Sequence, residues 1–288
     1  MGPMDEMIWS RRVNRRRKPS TLIIALGGWT DAGDAATLAA NAMVEVLGAQ
    51  ALCHLNPEPY YDFSVVRPQI VLDETGVRGI RWGTIVFYMA RERTASPVIV
   101  AVGPEPQLKW KSAMTEIIEA IQFLGVQEVV TLGSLLAATP HTRAPRMVGY
   151  SSDPSVRDIV GFDVTEYEGP TGFISVLQSA AEELGISVTS LWVEVPHYLS
   201  QFPARRAALT LVDSVELLLD TPLDLTPFRV TIEDADREIA RFVAHDPELA
   251  AYVDSLEVSY EQERSERASL ALIVKEAEQF LRLHGDSP

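Results

Sequence analysis

Residue types able to move protons or hold anions gather in five segments, and each follows a short apolar run. The first is Gly27-Gly28-Trp29-Thr30-Asp31-Ala32-Gly33-Asp34. Its glycines let the backbone approach closely or take a positive φ. The spacing from Gly28 to Gly33 imitates a phosphate-binding loop. A true one continues with Lys and Ser or Thr, whereas Asp34-Ala35 follow here, and carboxylates where a phosphate would sit argue against a nucleotide. Two readings stand: a helix cap, or a pocket or interface in which Gly28, Trp29, Asp31 and Gly33 hold a ligand. The second segment, Gly103-Pro104-Glu105-Pro106, is stiffened by its prolines. Glu105 is either a general base, if burial raises its pKa, or another cap. The third runs from Gly133-Ser134-Leu135 to Thr139-Pro140-His141-Thr142-Arg143. His141 and Arg143 suit a carboxylate or other anion, or His141 satisfies a backbone group. Ser134 lacks the G-x-S-x-G setting of a nucleophile elbow. The fourth, Tyr167-Glu168-Gly169-Pro170-Thr171-Gly172-Phe173, opens a predicted helix whose free amides form a generic anion site. The fifth is Pro196-His197-Tyr198, expected on the same rim as His141.

The elements that must position these segments follow from periodicity. Leu22–Leu26, Ile85–Met89, Val98–Val102, Val129–Leu132 and Val188–Val195 are short, β-branched and nearly all apolar, as strands covered on both faces must be. Ala32–Leu47, Lys109–Leu124, Phe173–Leu184 and Ala204–Leu219 carry apolar residues at helical spacing. Alternating strand and helix predicts a parallel sheet with right-handed crossovers. Ligands then bind beyond the carboxyl ends of the strands, where the five segments fall. Leu52 to Trp82 breaks the rhythm and reads as a β-hairpin excursion, with Ile70–Leu72 and Val77–Trp82 as its arms and the sheet becoming mixed. Thr221 to Pro227 is a proline-punctuated linker. From Phe228 onward there is no strand signal, and seven basic residues face fourteen acidic ones. Helix starts are expected near Ile232, at Asp246-Pro247 and near Ser269.

Composition narrows the classes. A chain of 288 residues buries enough surface to fold without disulfide or metal. Cys53 is the one cysteine, which predicts a reducing, cytoplasmic setting. No apolar run reaches membrane-spanning length. The basic residues before Leu22 look briefly like a signal peptide, but the apolar run is too short and lacks a cleavage motif. The net charge of −15 disfavours nucleic acid as a partner. Neither a cofactor nor a metal is expected, for want of paired Cys or His at ligand spacing. The organisation expected is a basic N-terminal arm (1–19), an α/β core (20–220) and an acidic helical extension (221–288).

Taken in order, Gly28-Trp29-x-Asp31-Ala32-Gly33, Tyr60-Tyr61-Asp62-Phe63 with Arg67-Pro68, Gly103-x-Glu105-Pro106 with Trp110, Pro140-His141-Thr142-Arg143, Tyr167 to Gly172 and Pro196-His197-Tyr198 resemble actinobacterial members of the proteasome assembly chaperone family, the relatives of the second chaperone of the eukaryotic pair. The resemblance spans roughly Thr21 to Asp220. It implies a three-layer α/β/α fold with a mixed, mostly parallel sheet, akin to nucleoside phosphorylases and related hydrolases. It also implies a homo-oligomer, with a trimer as the single best expectation, and another protein as a further partner. Relatives can dock on the proteasome through a C-terminal hydrophobic-Tyr-X tail, whereas this sequence closes with Gly285-Asp286-Ser287-Pro288. Two functions remain. One is a binding or assembly factor. The other is a small-molecule hydrolase or phosphorylase-like enzyme, with Glu105 as base, His141 and His197 carrying or orienting protons, and Arg143 with the Gly172 loop as an anion clamp; Glu168 and Thr171 of that loop are further ligand-binding candidates.

Overall fold

The computed structural model describes residues 6–10, 21–73, 75–90, 97–165 and 167–284, with side chains described up to residue 266 and at Ser269. Its strands are β1 (Met7–Trp9), β2 (Thr21–Gly27), β3 (Gln50–Leu55), β4 (Gln69–Leu72), β5 (Arg78–Arg81), β6 (Val86–Met89), β7 (Val98–Pro104), β8 (Glu128–Ala137), β9 (Met147–Ser151), β10 (Asp163–Val164) and β11 (Ser187–Pro196). Nine of them form one sheet in the order β1-β3-β6-β7-β2-β8-β11-β9-β10. The inner four, β7, β2, β8 and β11, are mutually parallel. Antiparallel strands flank them: β6, β3 and β1 on one side, β9 on the other.

Position in the sheet explains composition. β2 lies at the centre, and Leu22, Ile23, Ile24, Ala25 and Leu26 are fully buried. Their side chains alternate between faces, as a pleated strand requires. Leu22, Ile24 and Leu26 join one core with α2 (Trp110–Leu124) and α4 (Phe173–Glu183). Ile23 and Ala25 join the other with α1 (Ala35–Val46) and α5 (Arg205–Leu219). The result is the three-layer α/β/α fold with a mixed sheet. In α2, Ala113, Ile117, Ile118, Ala120, Ile121 and Leu124 are buried at i, i+3/i+4 spacing, and each Ile or Leu contributes about 1.5–3 kcal/mol by leaving water. Gly125, at φ 77°, stops the helix, its amide reaching Ile121 and Gln122 carbonyls. Cys53 is buried in the first core, and desolvation pushes its thiol up to about 12.

Three expectations are corrected. Residues 7–9, assigned to an N-terminal arm, form β1, which pairs with β3 at Met7↔Leu55 and Trp9↔Cys53; the basic residues from Arg11 to Lys18 lie outside the described residues. The β-hairpin excursion forms as expected, as a separate two-stranded sheet of β4 with β5. In the C-terminal region a helix starts at Thr226 rather than near Ile232, because Pro227 suits the first helical turn. No new start occurs at Ser269, which lies inside one 38-residue helix. That region is α6 (Thr226–Ala244) and α7 (Pro247–His284). Asp246 opens α7 as expected, its Oδ1 accepting the Glu248 and Leu249 amides at 3.0 and 3.1 Å.

Both helices pack on the α/β body. Arg206 of α5 makes a two-pronged pair with Asp236 of α6 at 2.7 and 2.6 Å, and the Phe202 and Phe242 rings lie 5.1 Å apart. α7 buries Val253 and Leu256. Arg143 pairs with Glu257 and Glu261 of α7 at 3.1 and 2.9 Å, and Arg146 with Glu263 at 2.5 Å. These ion pairs are partly exposed, so each is worth no more than about 1 kcal/mol. The apolar contacts dominate. Replacing Leu256 by Ala should lower the unfolding free energy by about 2–4 kcal/mol in urea denaturation, whereas Glu261→Gln should lower it by less than about 1 kcal/mol.

Candidate functional site

Because β2, β7, β8 and β11 run parallel, they end on one edge of the sheet, and the segments after them carry Asp31, Glu105, His141 and His197. The four side chains share an edge but not a cavity. They belong to three separate networks.

Asp31 is buried at the start of α1. Its Oδ1 accepts the Ala36 amide at 2.7 Å, and its Oδ2 accepts the Thr37 hydroxyl at 2.5 Å. Burial raises its pKa while these bonds lower it. Its residue forms a bridge with Ser134 on the neighbouring strand. The carboxylate closes the free amides of α1, as an acid near a helix N-terminus does.

Glu105 does the same for another element. Its Oε1 accepts the Phe173 amide at 2.5 Å, at the first residue of α4. Burial raises its pKa and the Phe173 bond opposes that rise. Gly172, the residue before α4, has no side chain for a reason: a Cβ there would sit 2.8 Å from Glu105 Oε1 and 2.5 Å from Thr30 Cγ2. Neighbouring residues lock the loop. Tyr61 donates to the Pro104 carbonyl at 2.9 Å and Trp110 Nε1 to the Pro106 carbonyl at 2.6 Å.

The histidines meet around Tyr198, whose hydroxyl lies 2.9 Å from the His141 amide and 2.8 Å from His141 Nδ1. The phenol oxygen accepts from the amide, and its bond to Nδ1 holds the imidazole ring in place. His197 Nδ1 sits 3.0 Å from the Ala137 carbonyl, and its ring packs edge-on against Tyr198 and Tyr252. Arg143 is held by α7 glutamates, as above, and Thr142 donates to Glu257. Arg143, the guanidinium of the expected anion clamp, therefore docks α7.

A different feature dominates this side: a cleft of about 910 Å³ between the loop after β2, strands β8, β9 and β11, and α4. Gly28, Trp29, Gly33 and Thr171 line it. Glu168 is exposed on the neighbouring loop and is not part of the lining. Trp192, Ser190, Tyr150 and Glu182 also line it, and sequence reading did not single them out. The available signal was Ser190 and Trp192, two positions apart in the middle of a strand whose alternate positions Leu191, Val193 and Val195 are apolar. Among the described residues, no group of three or more His, Cys, Asp and Glu is placed to hold a metal ion, and no helix is long and apolar enough to cross a membrane.

Burial lowers the His141 pKa, with Arg206 adding to the shift and Glu257 and Asp236 opposing it. The unfolded chain, with an ordinary histidine, then binds more protons than the folded one as pH falls below about 6.5. The stabilisation is complete above that pH and is lost as pH drops toward the folded value. His141→Gln should flatten the fall in melting temperature between pH 7 and 5, measured against the wild-type protein in parallel scans. Separately, Glu105→Ala should cost about 1 kcal/mol by freeing the first amide of α4.

The model of the PAC2 family matches residues 25–243. A proteasome-assembly chaperone homologue from Mycobacterium tuberculosis is 36% identical, covering 81% of this chain and 99% of its own, with a TM-score of 0.72. A PAC2 family protein from Streptomyces avermitilis is also 36% identical over 81% and 99%, with a TM-score of 0.70. A second M. tuberculosis protein, of unknown function, has the same fold at a TM-score of 0.83 and 24% identity, over 94% of both chains. No curated protein matches. With the family model spanning most of the chain and two relatives this similar over nearly their whole length, the chain belongs to the PAC2 family.

Proposed function

We propose that this protein is a homo-oligomeric binding or assembly factor, and that the hairpin β4–β5 is the surface through which copies associate. The observation that carries this reading is the hairpin's exposed apolar face. Ile70 lies opposite Ile80 and Leu72 opposite Arg78, so Ile70, Leu72 and Ile80 share one face. They are 71, 66 and 63% exposed. Two strands alone are marginal in water, and a contiguous exposed apolar face of this kind marks an association site. The turn is preformed. Asp73 Oδ1 accepts the Thr75 and Val77 amides, each at 2.9 Å, and Gly76 takes φ 81°. A rigid arm loses little entropy on docking.

Charge favours a second copy as the occupant. Arg67, Arg78 and Arg81 are exposed on or beside the hairpin, while the chain as a whole carries −15. A basic apolar arm on an acidic body is complementary to the body of another copy. Closed rotational symmetry then sets the number of copies, with a trimer as the specific proposal. The alternative enzyme reading has less support, because Asp31, Glu105, His141 and Arg143 each hold an element in place. The M. tuberculosis relative, a proteasome-assembly chaperone homologue, makes proteasome assembly the process in which a second protein partner is to be sought.

Light scattering tests the proposal. The wild-type mass should be a multiple of 31.8 kDa, three-fold for a trimer. Replacing Ile70, Leu72 and Ile80 together by Ser should reduce it to a single chain. The hairpin lies outside the main sheet, so the melting temperature of the body should hold within a few degrees at protein concentrations where wild type is dissociated. A wild-type monomer at micromolar concentration, or a triple variant with unchanged mass, overturns the proposal.

A further inference from the structure

The cleft beside α4 is separate from the hairpin, and its chemistry is specific. Its floor is Trp192. A Cβ added to Gly133, the residue opposite on β8, would meet Trp192 Cδ2 and Cε3 at 2.7 Å. The indole therefore lies flat across the backbone of β8, at a place where only glycine leaves room. Its orientation is fixed as well. Trp192 Nε1 donates to Ser190 Oγ at 3.0 Å, and Ser190 Oγ accepts from Thr131 Oγ1 at 2.9 Å. This is a rigid aromatic surface lining an open cavity.

Two oxygen atoms in the lining have no hydrogen-bond partner. Thr30 is 1% exposed, and its Oγ1 is buried without a hydrogen bond. On α4, Glu182 Oε1 is buried and equally unpartnered, while the carboxylate lies against the Tyr150 hydroxyl and holds that phenol above its ordinary range. A buried hydroxyl or carboxylate oxygen left unpaired costs free energy, and such groups in a cavity wall are what a ligand satisfies. The remaining polar lining is hydroxyl and amide, Ser134, Ser175, Gln178 and Ser179 among it. Among the described residues, no Lys, Arg or His lines the cleft. An anion would meet Glu182 with nothing to balance it.

We infer that this cleft is a binding site for a small planar ligand, uncharged or cationic and bearing hydrogen-bond donors, which stacks on Trp192 and bonds to Thr30 and Glu182. The volume suits a small organic molecule. An aromatic face attracts a stacked ring and, more strongly, a planar cation. A donor group on the ligand satisfies both unpartnered oxygens. Phosphorylated and carboxylated compounds are disfavoured by Glu182, which no cation of the described lining balances.

Three probes of one shape and different charge separate the outcomes: benzamidine, benzamide and benzoate, titrated calorimetrically into the full chain. Benzamidine should bind most tightly, benzamide more weakly, and benzoate at least about ten-fold more weakly than benzamidine. Trp192→Leu should weaken benzamidine and benzamide together. Glu182→Gln should bring benzamidine to the level of benzamide and leave benzamide unchanged. Thr30→Val is close to isosteric. It should weaken both probes without lowering the melting temperature, because it removes an unpaired buried hydroxyl. If Trp192→Leu fails to fold, the Thr30 and Glu182 variants carry the test with the aromatic floor intact. Benzoate binding as tightly as benzamidine, no heat from any probe at millimolar concentration, or folded Thr30 and Glu182 variants with wild-type affinities would each overturn the inference.

Discussion

One hydrogen bond organises the functional edge of this molecule: the Phe173 amide donating to the Glu105 carboxylate. Helix α4 begins after Gly172, which can supply no side-chain cap, so its first amides need an acceptor from elsewhere. Glu105 supplies it from the end of β7, across the sheet edge. The demand propagates in both directions. Toward α4 it fixes the start of the helix that forms one wall of the cleft. Toward the strands it requires a rigid platform, which Tyr61, the two flanking prolines and Trp110 provide by gripping the Pro104 and Pro106 carbonyls. Glycine at 172 leaves room for the carboxylate at the start of α4. A charged side chain thus does here what a Ser or Asp does at an ordinary cap, but over a sequence distance of 68 residues, and it ties three elements together at once.

Charge distribution follows a related logic. The C-terminal helices carry an acidic excess, yet much of their attachment is to arginines of the same chain, Arg143, Arg146 and Arg206. Arg146 also lies 4.3 Å from the centre of the Tyr260 ring, and Tyr260 donates to the Ala144 carbonyl at 3.0 Å. The loop after β8 is therefore a seat for α7 rather than an open anion site. The binding energy of that seat is mostly apolar, and the ion pairs mainly set the register of the helix along it.

Much of this was legible in the sequence. The inner strands and the four flanking helices announce themselves through unbroken apolar runs and 3.6-residue spacing, signals that arise because both faces of a parallel sheet must be covered. The apolar runs that precede Asp31, Glu105, His141 and His197 placed all four on one edge for the same reason. What stayed hidden was set by tertiary pairing. β1 is three residues long and exists because β3 offers it an edge. β9 contains Gly149, a poor strand former, whose lack of a side chain makes room for the Ser190 carbonyl and the Phe162 ring. Nor could a sequence distinguish a catalytic Glu105 from a capping one, since both need a carboxylate after a strand. The cleft escaped notice because its floor comes from mid-strand positions, Ser190 and Trp192, which periodicity counts simply as core.

The contact between Trp192 and Gly133 has a consequence for how this fold can vary. The two residues sit on adjacent strands, 59 positions apart, and each is tolerable only in the presence of the other's particular shape. A side chain at 133 collides with the indole, and a small residue at 192 leaves exposed backbone where the ring lay. Their effects on stability will not add. Drift among homologues should accordingly move the pair in step, through a narrow set of intermediates, while the hydroxyl residues around them vary more freely. The floor of the cleft is thus an epistatic unit, buffered against gradual change by geometry alone.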